Sequence, residues 1–103
     1  MPSVTELLDM TGRTAIVTGG GTHLGRAMGS ALAEMGASVY VASRRAELCE
    51  ETASELRGQG LDVTGLGCDV TDETQVDALV KRVMSDHGRV DVMVANSGGA
   101  FTN

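Results

Sequence analysis

The sequence predicts an α/β fold, a doubly wound parallel sheet to which this chain contributes the N-terminal half. Short apolar runs alternate with longer segments whose apolar residues recur at helical spacing. A glycine-rich segment at residues 19–25 separates the first apolar run from the first helical segment. Strands that alternate with helices form an open parallel sheet with right-handed connections. We therefore expect the order β-α-β-α-β-α-β, with the strands arranged 3-2-1-4 in the sheet.

Each predicted strand is a short run rich in β-branched residues. The first, at residues 13–18, has a continuous apolar core, which is typical of a strand that is covered on both faces. The second is predicted at residues 38–42, the third at residues 61–67 and the fourth at residues 90–95. The chain continues as a polar, glycine-bearing segment to residue 103.

Three amphipathic helices are predicted between these strands. The first covers residues 24–36, and its apolar positions should face the sheet: Leu24, Ala27, Met28, Ala31, Leu32 and Met35. The second covers residues 45–57. The third begins after Thr71 or Asp72, either of which can act as the N-cap, and ends at His87.

Composition excludes several classes of function. With 103 residues the chain forms one small domain, and a net charge of −6 argues against binding to nucleic acid or to an anionic membrane. No stretch is long and apolar enough to span a bilayer, and the first residues lack the pattern of a signal peptide. Cys49 and Cys68 have no metal-ligand spacing, so we expect free, buried thiols in a cytoplasmic protein that binds no metal.

A glycine-rich turn between a strand and a helix is a phosphate-binding arrangement, because free backbone N–H groups and the helix dipole attract an anion. Two common patterns fail here. The dinucleotide pattern G-x-G-x-x-G needs a third glycine where this chain has Leu24. The mononucleotide pattern G-x-x-x-x-G-K-[ST] fits residues 20–25, but Arg26 and Ala27 replace its lysine and hydroxyl residue.

A third pattern, Thr-Gly-x-x-x-Gly-x-Gly, is matched by Thr18, Gly19 and Gly25. In this turn the chain resembles the classical short-chain dehydrogenase/reductase family, although His23 replaces the middle glycine. His23 is either an ordinary residue of the first helical turn, the interpretation we favour, or a residue whose ring contacts a cofactor phosphate. The resemblance implies a Rossmann-like fold and a cofactor-binding turn made of Thr18, Gly19, Gly21, Thr22, His23, Leu24 and Gly25.

The second predicted site, Ser43-Arg44-Arg45, follows the second strand. An acidic residue about twenty residues beyond the glycines would bind the ribose hydroxyls of NAD, but Ser43, 18 residues beyond Gly25, is not acidic. A guanidinium and a hydroxyl instead suit the 2′-phosphate of NADP. We therefore predict NADP rather than NAD as the cofactor. A solvated basic pair at a helix start is the alternative, and it is mildly unfavourable.

The third predicted site is Cys68-Asp69-Val70-Thr71, after the third strand, and its first three residues carry the resemblance to the family. The resemblance implies that Asp69 accepts a hydrogen bond from the adenine amino group and that the backbone of Val70 pairs with the ring. Asp69 could instead cap the following helix.

The fourth predicted site, Asn96-Ser97-Gly98, follows the fourth strand and resembles the family motif Asn-Asn-Ala-Gly beside the nicotinamide ribose. Ala95 replaces its first asparagine and Ser97 its alanine. We expect Ser97 to contact the cofactor or the backbone and not to act as a nucleophile.

No catalytic residue is predicted within the chain. The family uses a serine and a Tyr-x-x-x-Lys pair, but Tyr40 is the only tyrosine and lies in the second strand. We expect residues 1–103 to be the NAD(P)-binding part of an oxidoreductase that is truncated before its catalytic half. The resemblance implies a carbonyl or secondary alcohol as substrate and a homo-oligomer for the full-length protein. The alternative is a non-catalytic dinucleotide-binding or interaction module.

Overall fold

The structure, a computed structural model, describes residues 9–19 and 22–95 and has the predicted order of elements. Every predicted strand and helix is present, and the observed bounds differ from the predicted ones by at most two residues. The elements are β1 (Thr14–Thr18), α1 (His23–Glu34), β2 (Ser38–Ser43), α2 (Ala46–Arg57), β3 (Val63–Gly67), α3 (Glu73–His87) and β4 (Val92–Ala95).

The four strands form one parallel sheet in the order β3-β2-β1-β4, which confirms the predicted Rossmann-like arrangement. Val17 aligns with Val41 on β2 and with Val94 on β4. Residues in register share a face of the sheet, and successive residues alternate between the faces. Both faces of the sheet are therefore covered by helices.

One face of the sheet is covered by α1 and α2, and the other face by α3. The first core joins alternate strand residues to both helices; it contains Ala15, Val17, Ala33, Ala37, Val39, Val41, Cys49, Ala53, Leu56 and Val63. The second core contains Ile16, Tyr40, Ala42, Cys68, Leu79 and Val83. Strand β1 contributes to both cores, and this explains its uninterrupted burial.

The predicted apolar stripe of α1 is wrong in part. Its buried residues are Gly25, Gly29 and Ala33, whereas Met28 and Leu32 are only partly buried. A Cβ atom on Gly29 would lie 3.0 Å from Cγ1 of Val41, so small residues let the helix approach the sheet closely. The exposed members of the predicted stripe are Leu24, Ala27 and Ala31, and the Leu24 side chain is 59% exposed.

Helix α2 approaches β3 even more closely. A Cβ atom on Gly65 would lie 2.3 Å from the carbonyl oxygen of Cys49, far inside van der Waals contact. Because backbone atoms meet at this point, no side-chain rotation can relieve the clash. Glycine at position 65 therefore fixes the distance between α2 and the sheet.

Strand β4 is held at its start by the partly buried carboxylate of Asp91. The N–H of Thr14 donates to Oδ2 of Asp91 over 2.9 Å, and the N–H of Asp91 donates to the carbonyl of Thr14 over 2.8 Å. Arg89 donates from Nη2 to Oδ1 over 2.7 Å and from Nε to Oδ2 over 2.8 Å. These hydrogen bonds, chiefly those from Arg89, lower the pKa of Asp91.

Replacement of Gly65 by alanine should separate α2 from the sheet. We expect Gly65→Ala to reduce the free energy of unfolding by about 3 kcal/mol, the upper range for overpacking of a close-packed core. Urea unfolding followed by circular dichroism measures the change. Gly58→Ala is the control, because Gly58 has right-handed helical angles and should tolerate a methyl group. Equal stability of the two variants would contradict the proposed close contact.

Asp91 should make the stability depend on acid pH. A carboxyl whose pKa is lowered by folding stabilises the folded state above its unfolded pKa of about 3.9, and this stabilisation is lost as the pH falls through the folded pKa. We expect Asp91→Asn to be less stable than the parent at neutral pH and to lose less stability on acidification. Urea unfolding at a series of pH values tests this. Parallel pH curves for parent and variant would contradict it.

Candidate functional site

A cleft of about 380 Å³ lies where the carboxyl ends of β1, β2 and β3 meet at one edge of the sheet. Loops from three of the four predicted sites line it: Thr18, Gly19, Thr22, Ser43, Arg44, Arg45, Cys68, Asp69, Val70 and Thr71. Thr71, the last residue of the third predicted site, was given no cofactor contact in the sequence analysis, yet it also lines the cleft. Gly21, Asn96, Ser97 and Gly98 lie outside the described residues.

The turn between β1 and α1 is shaped by Gly19 and Thr22. Gly19 has a φ of +74°, a conformation that other residues rarely adopt, and its N–H donates to the carbonyl of Ala42 over 2.7 Å. The Thr22 hydroxyl donates to the carbonyl of Gly19 over 2.7 Å and accepts from the N–H of Gly25 over 3.0 Å. Thr22 is thus the N-cap of α1 and directs the start of this helix toward the cleft edge.

Three described residues of this predicted turn, His23, Leu24 and Gly25, do not line the cleft. His23 is the first residue of α1 and is exposed, and no residue except glycine has a positive φ within the described part of the chain. His23 therefore needs no special backbone conformation, as expected of an ordinary residue of the first helical turn. Gly25 is buried where α1 meets the sheet, and Leu24 points to solvent.

The end of β2 places two guanidinium groups beside an uncapped helix. Arg44 and Arg45 are both exposed, and Arg45 occupies the N-cap position of α2 without a side-chain capping bond. Ser43, the last residue of β2, is half-buried; its Oγ accepts from the N–H of Arg45 over 3.1 Å and lies 3.1 Å from Sγ of Cys49. Positive side chains and the positive end of a helix dipole together favour an anion here.

The loop after β3 is held by a hydrogen-bond network around Asp69. Oδ1 of Asp69 accepts from the N–H of Thr71 over 2.9 Å and from its hydroxyl over 2.7 Å. The N–H of Asp69 donates to Oε1 of Gln75 over 2.9 Å. The hydroxyl bond from Thr71 is the main cause that lowers the pKa of Asp69, and Arg44 adds to the effect.

Asp69 is not the cap of α3, which was one of its two predicted roles. Oδ1 of Asp72 accepts from the N–H of Thr74 over 2.9 Å and of Gln75 over 3.4 Å, so Asp72 is the N-cap. Within the described part of the chain, no hydrogen bond reaches Oδ2 of Asp69 or the N–H of Val70. An acceptor and a donor are therefore presented side by side at the cleft.

Both cysteines are free and buried, as predicted. The N–H of Cys68 donates to the carbonyl of Ser43 over 2.7 Å, which joins the loops after β2 and β3. Burial raises the pKa of the Cys68 thiol, and the charges of Asp69 and Asp72 raise it further. Cys68 therefore lines the cleft as a protonated thiol.

Strand β4 reaches the same edge of the sheet through Thr18. The hydroxyl of Thr18 donates to the carbonyl of Val94 over 3.3 Å, beside the pairing of Thr18 with Ala95. Ala95 has no polar side-chain atom, so the side-chain hydrogen bond that joins β1 to β4 at this edge comes from Thr18 on β1.

Residues 9–19 and 22–95 contain neither a metal-binding cluster nor a membrane-spanning helix. In these ranges no group of three or more histidine, cysteine, aspartate or glutamate residues is arranged to hold a metal ion. None of the helices found there combines the length and the apolar character needed to cross a membrane.

Comparison with known proteins gives a consistent result. A family model described as short chain dehydrogenase matches residues 13–103. The (+)-borneol dehydrogenase 1 of Salvia officinalis is 39% identical over 89 residues, which are 86% of this chain and 33% of that protein. The 7alpha-hydroxysteroid dehydrogenase of Clostridium sardiniense is 35% identical over 94 residues, which are 91% of this chain and 36% of that protein.

The fold is also similar to solved structures. A hydroxysteroid dehydrogenase from Escherichia coli superposes with a TM-score of 0.84 at 31% identity, over 88% of this chain and 39% of that one. This chain therefore spans about a third of the length of the relatives named here.

Gly19 and Gly88 provide a matched pair of variants, because their φ angles are +74° and +75° and only Gly19 lines the cleft. A left-handed conformation costs a residue with a Cβ atom roughly 1–2 kcal/mol, so we expect Gly19→Ala and Gly88→Ala to lose about this much stability. Thermal unfolding measures both. Only Gly19→Ala should also shift the amide NMR signals of the cleft loops. A Gly19→Ala variant as stable as the parent would contradict the turn conformation.

Proposed function

This chain belongs to the short-chain dehydrogenase/reductase family, as its motifs predicted, and on that premise we propose that it is the NADP(H)-binding part of an oxidoreductase. The observation that carries the choice of cofactor is the end of β2. Two guanidinium groups, Arg44 and Arg45, lie beside the uncapped start of α2, and the strand ends in Ser43 and not in an acidic residue. The two guanidinium groups and the start of the helix favour a phosphate group at this position.

The adenine ring fits the loop after β3. Oδ2 of Asp69 can accept from an exocyclic amino group, and the N–H of Val70 can donate to a ring nitrogen. Both groups line the cleft, and the Val70 side chain, 44% exposed, offers an apolar surface for the ring. The network that Thr71 and Gln75 build around Asp69 holds these groups in place before the cofactor arrives.

The phosphates fit the two remaining loops. Ser43, Arg44 and Arg45 would hold the 2′-phosphate, and the turn at Gly19 would face the pyrophosphate at the start of α1. In the proposal Gly21, Thr22, His23, Leu24 and Gly25 complete the turn, and Asn96, Ser97 and Gly98 lie toward the nicotinamide ribose. When bound, the cofactor would carry the hydride, and the protein would orient the cofactor.

We extend the proposal to the whole protein of which these residues form a part. Its substrate would be a small molecule with a carbonyl or a secondary alcohol, and two relatives whose names specify borneol and a 7alpha-hydroxysteroid support this class. The two free cysteines suit a reducing cytoplasmic setting. The proposal includes a homo-oligomer and places the catalytic residues in sequence that follows β4.

Arg44→Ala tests the choice of cofactor. Loss of a charge-assisted contact to the 2′-phosphate should weaken NADPH binding about ten- to a hundredfold, from the roughly 1.5–3 kcal/mol such bonds contribute, and should leave NADH binding nearly unchanged. Isothermal titration of both nucleotides measures the two dissociation constants. Lys81→Ala removes the same charge from the exposed side of α3 and serves as the control. Tighter binding of NADH than of NADPH by the parent chain would contradict the proposed cofactor.

A further inference from the structure

We propose that Cys49 is a positioning residue that sets the hydroxyl of Ser43 for the 2′-phosphate and so contributes to the selectivity for NADP(H). The proposal rests on the proposed function of the cleft. Sγ of Cys49 lies 3.1 Å from Oγ of Ser43. Cys49 is a completely buried residue of α2 on the side that faces the sheet, and it does not line the cleft, so any effect on a nucleotide must pass through Ser43.

The hydrogen-bond capacity of Ser43 decides how Cys49 acts. A hydroxyl has one proton to donate and two lone pairs that accept. The N–H of Arg45 occupies one lone pair over 3.1 Å. When the thiol of Cys49 donates to the other, the hydroxyl proton of Ser43 is left to point away from both neighbours, toward the cleft. A phosphate oxygen there can accept it, and every polar group in the chain of bonds is then satisfied.

The position of Cys49 is fixed by backbone packing. Its carbonyl oxygen lies against Gly65 of β3, where even a single Cβ atom would approach to 2.3 Å. Its N–H donates to the carbonyl of Arg45 over 3.0 Å. A group held on a rigid element can orient a neighbour more sharply than a group on a loop. The backbone of Cys49 therefore cannot move away from Ser43 without separating α2 from the sheet.

The predicted consequence distinguishes NADP(H) from NAD(H). Removal of the thiol in Cys49→Ala frees the Ser43 hydroxyl to turn inward, so the dissociation constant of NADPH should rise roughly three- to tenfold, the effect of one hydrogen bond. The dissociation constant of NADH should change less than about twofold, since NADH has no group at this position. Cys49→Ser keeps a donor and should restore most of the NADPH affinity.

The experiment is a titration of NADPH and NADH with the parent, Cys49→Ala, Cys49→Ser and Ser43→Ala, together with the double variant of Cys49→Ala and Ser43→Ala. If Cys49 acts through Ser43, its replacement has no further effect on the ratio of affinities once Ser43 is alanine. Leu56→Val shortens another buried side chain of α2 and controls for lost stability; it should leave the ratio as in the parent.

Two results would overturn the inference while leaving the proposed function intact. In the first, Cys49→Ala weakens NADPH and NADH equally, which indicates a purely structural role. In the second, Cys49→Ala changes the affinity for neither nucleotide. A failure of Cys49→Ser to restore NADPH binding would also contradict the inference. Should Cys49→Ala not fold, the titrations of Cys49→Ser and Ser43→Ala decide. An unchanged ratio of NADPH to NADH affinity in Ser43→Ala would show that Ser43 does not contribute to the selectivity, and Cys49 could then not act through it. A parent chain that binds neither nucleotide overturns the proposed function itself, and the inference with it.

Discussion

The site depends on hydrogen bonding between neighbouring strands that continues into the loops after them. The N–H of Gly19 donates to the carbonyl of Ala42, and the N–H of Cys68 donates to the carbonyl of Ser43. These bonds connect the residues that follow β1 and β3 to the end of β2. Three loops that are far apart in sequence are thereby brought to one edge of the sheet, as parallel strands require. The cleft is thus built by the sheet and does not depend on long-range side-chain contacts.

Helix packing then decides which groups these loops present. Gly29 on α1 and Gly65 on β3 allow helices to approach the sheet at distances that a larger residue would prevent. The close approach of α2 brings its uncapped start beside Ser43 and places Cys49 directly behind that hydroxyl. A chain with a net charge of −6 can still offer an anion a favourable site in this way, because partial charges of a helix end and two nearby guanidinium groups act locally.

Much of this arrangement could be predicted from residue order alone. Alternation of apolar runs and helical periodicity gave the order of the elements and of the strands, and the loops after β1, β2 and β3 do line one cleft. The spacing of apolar residues predicted the buried face of α1 incorrectly in part. Glycine does not count as apolar in such a pattern, although Gly25 and Gly29 are buried in this helix. The sequence alone does not decide whether Asp69 or Asp72 caps α3, because this depends on where the preceding loop turns. The contact between Ser43 and Cys49 depends on side-chain positions that no local pattern specifies.

We propose that three loops at one edge of the sheet bind the adenosine end of NADP(H). The decisive experiment is a titration of the isotope-labelled chain with adenosine 2′,5′-bisphosphate, followed by amide NMR signals. We expect saturable shifts centred on Gly19, Arg44 and Val70, with little change on the exposed side of α3. Absence of shifts, or shifts centred on the surface of α3, would contradict it.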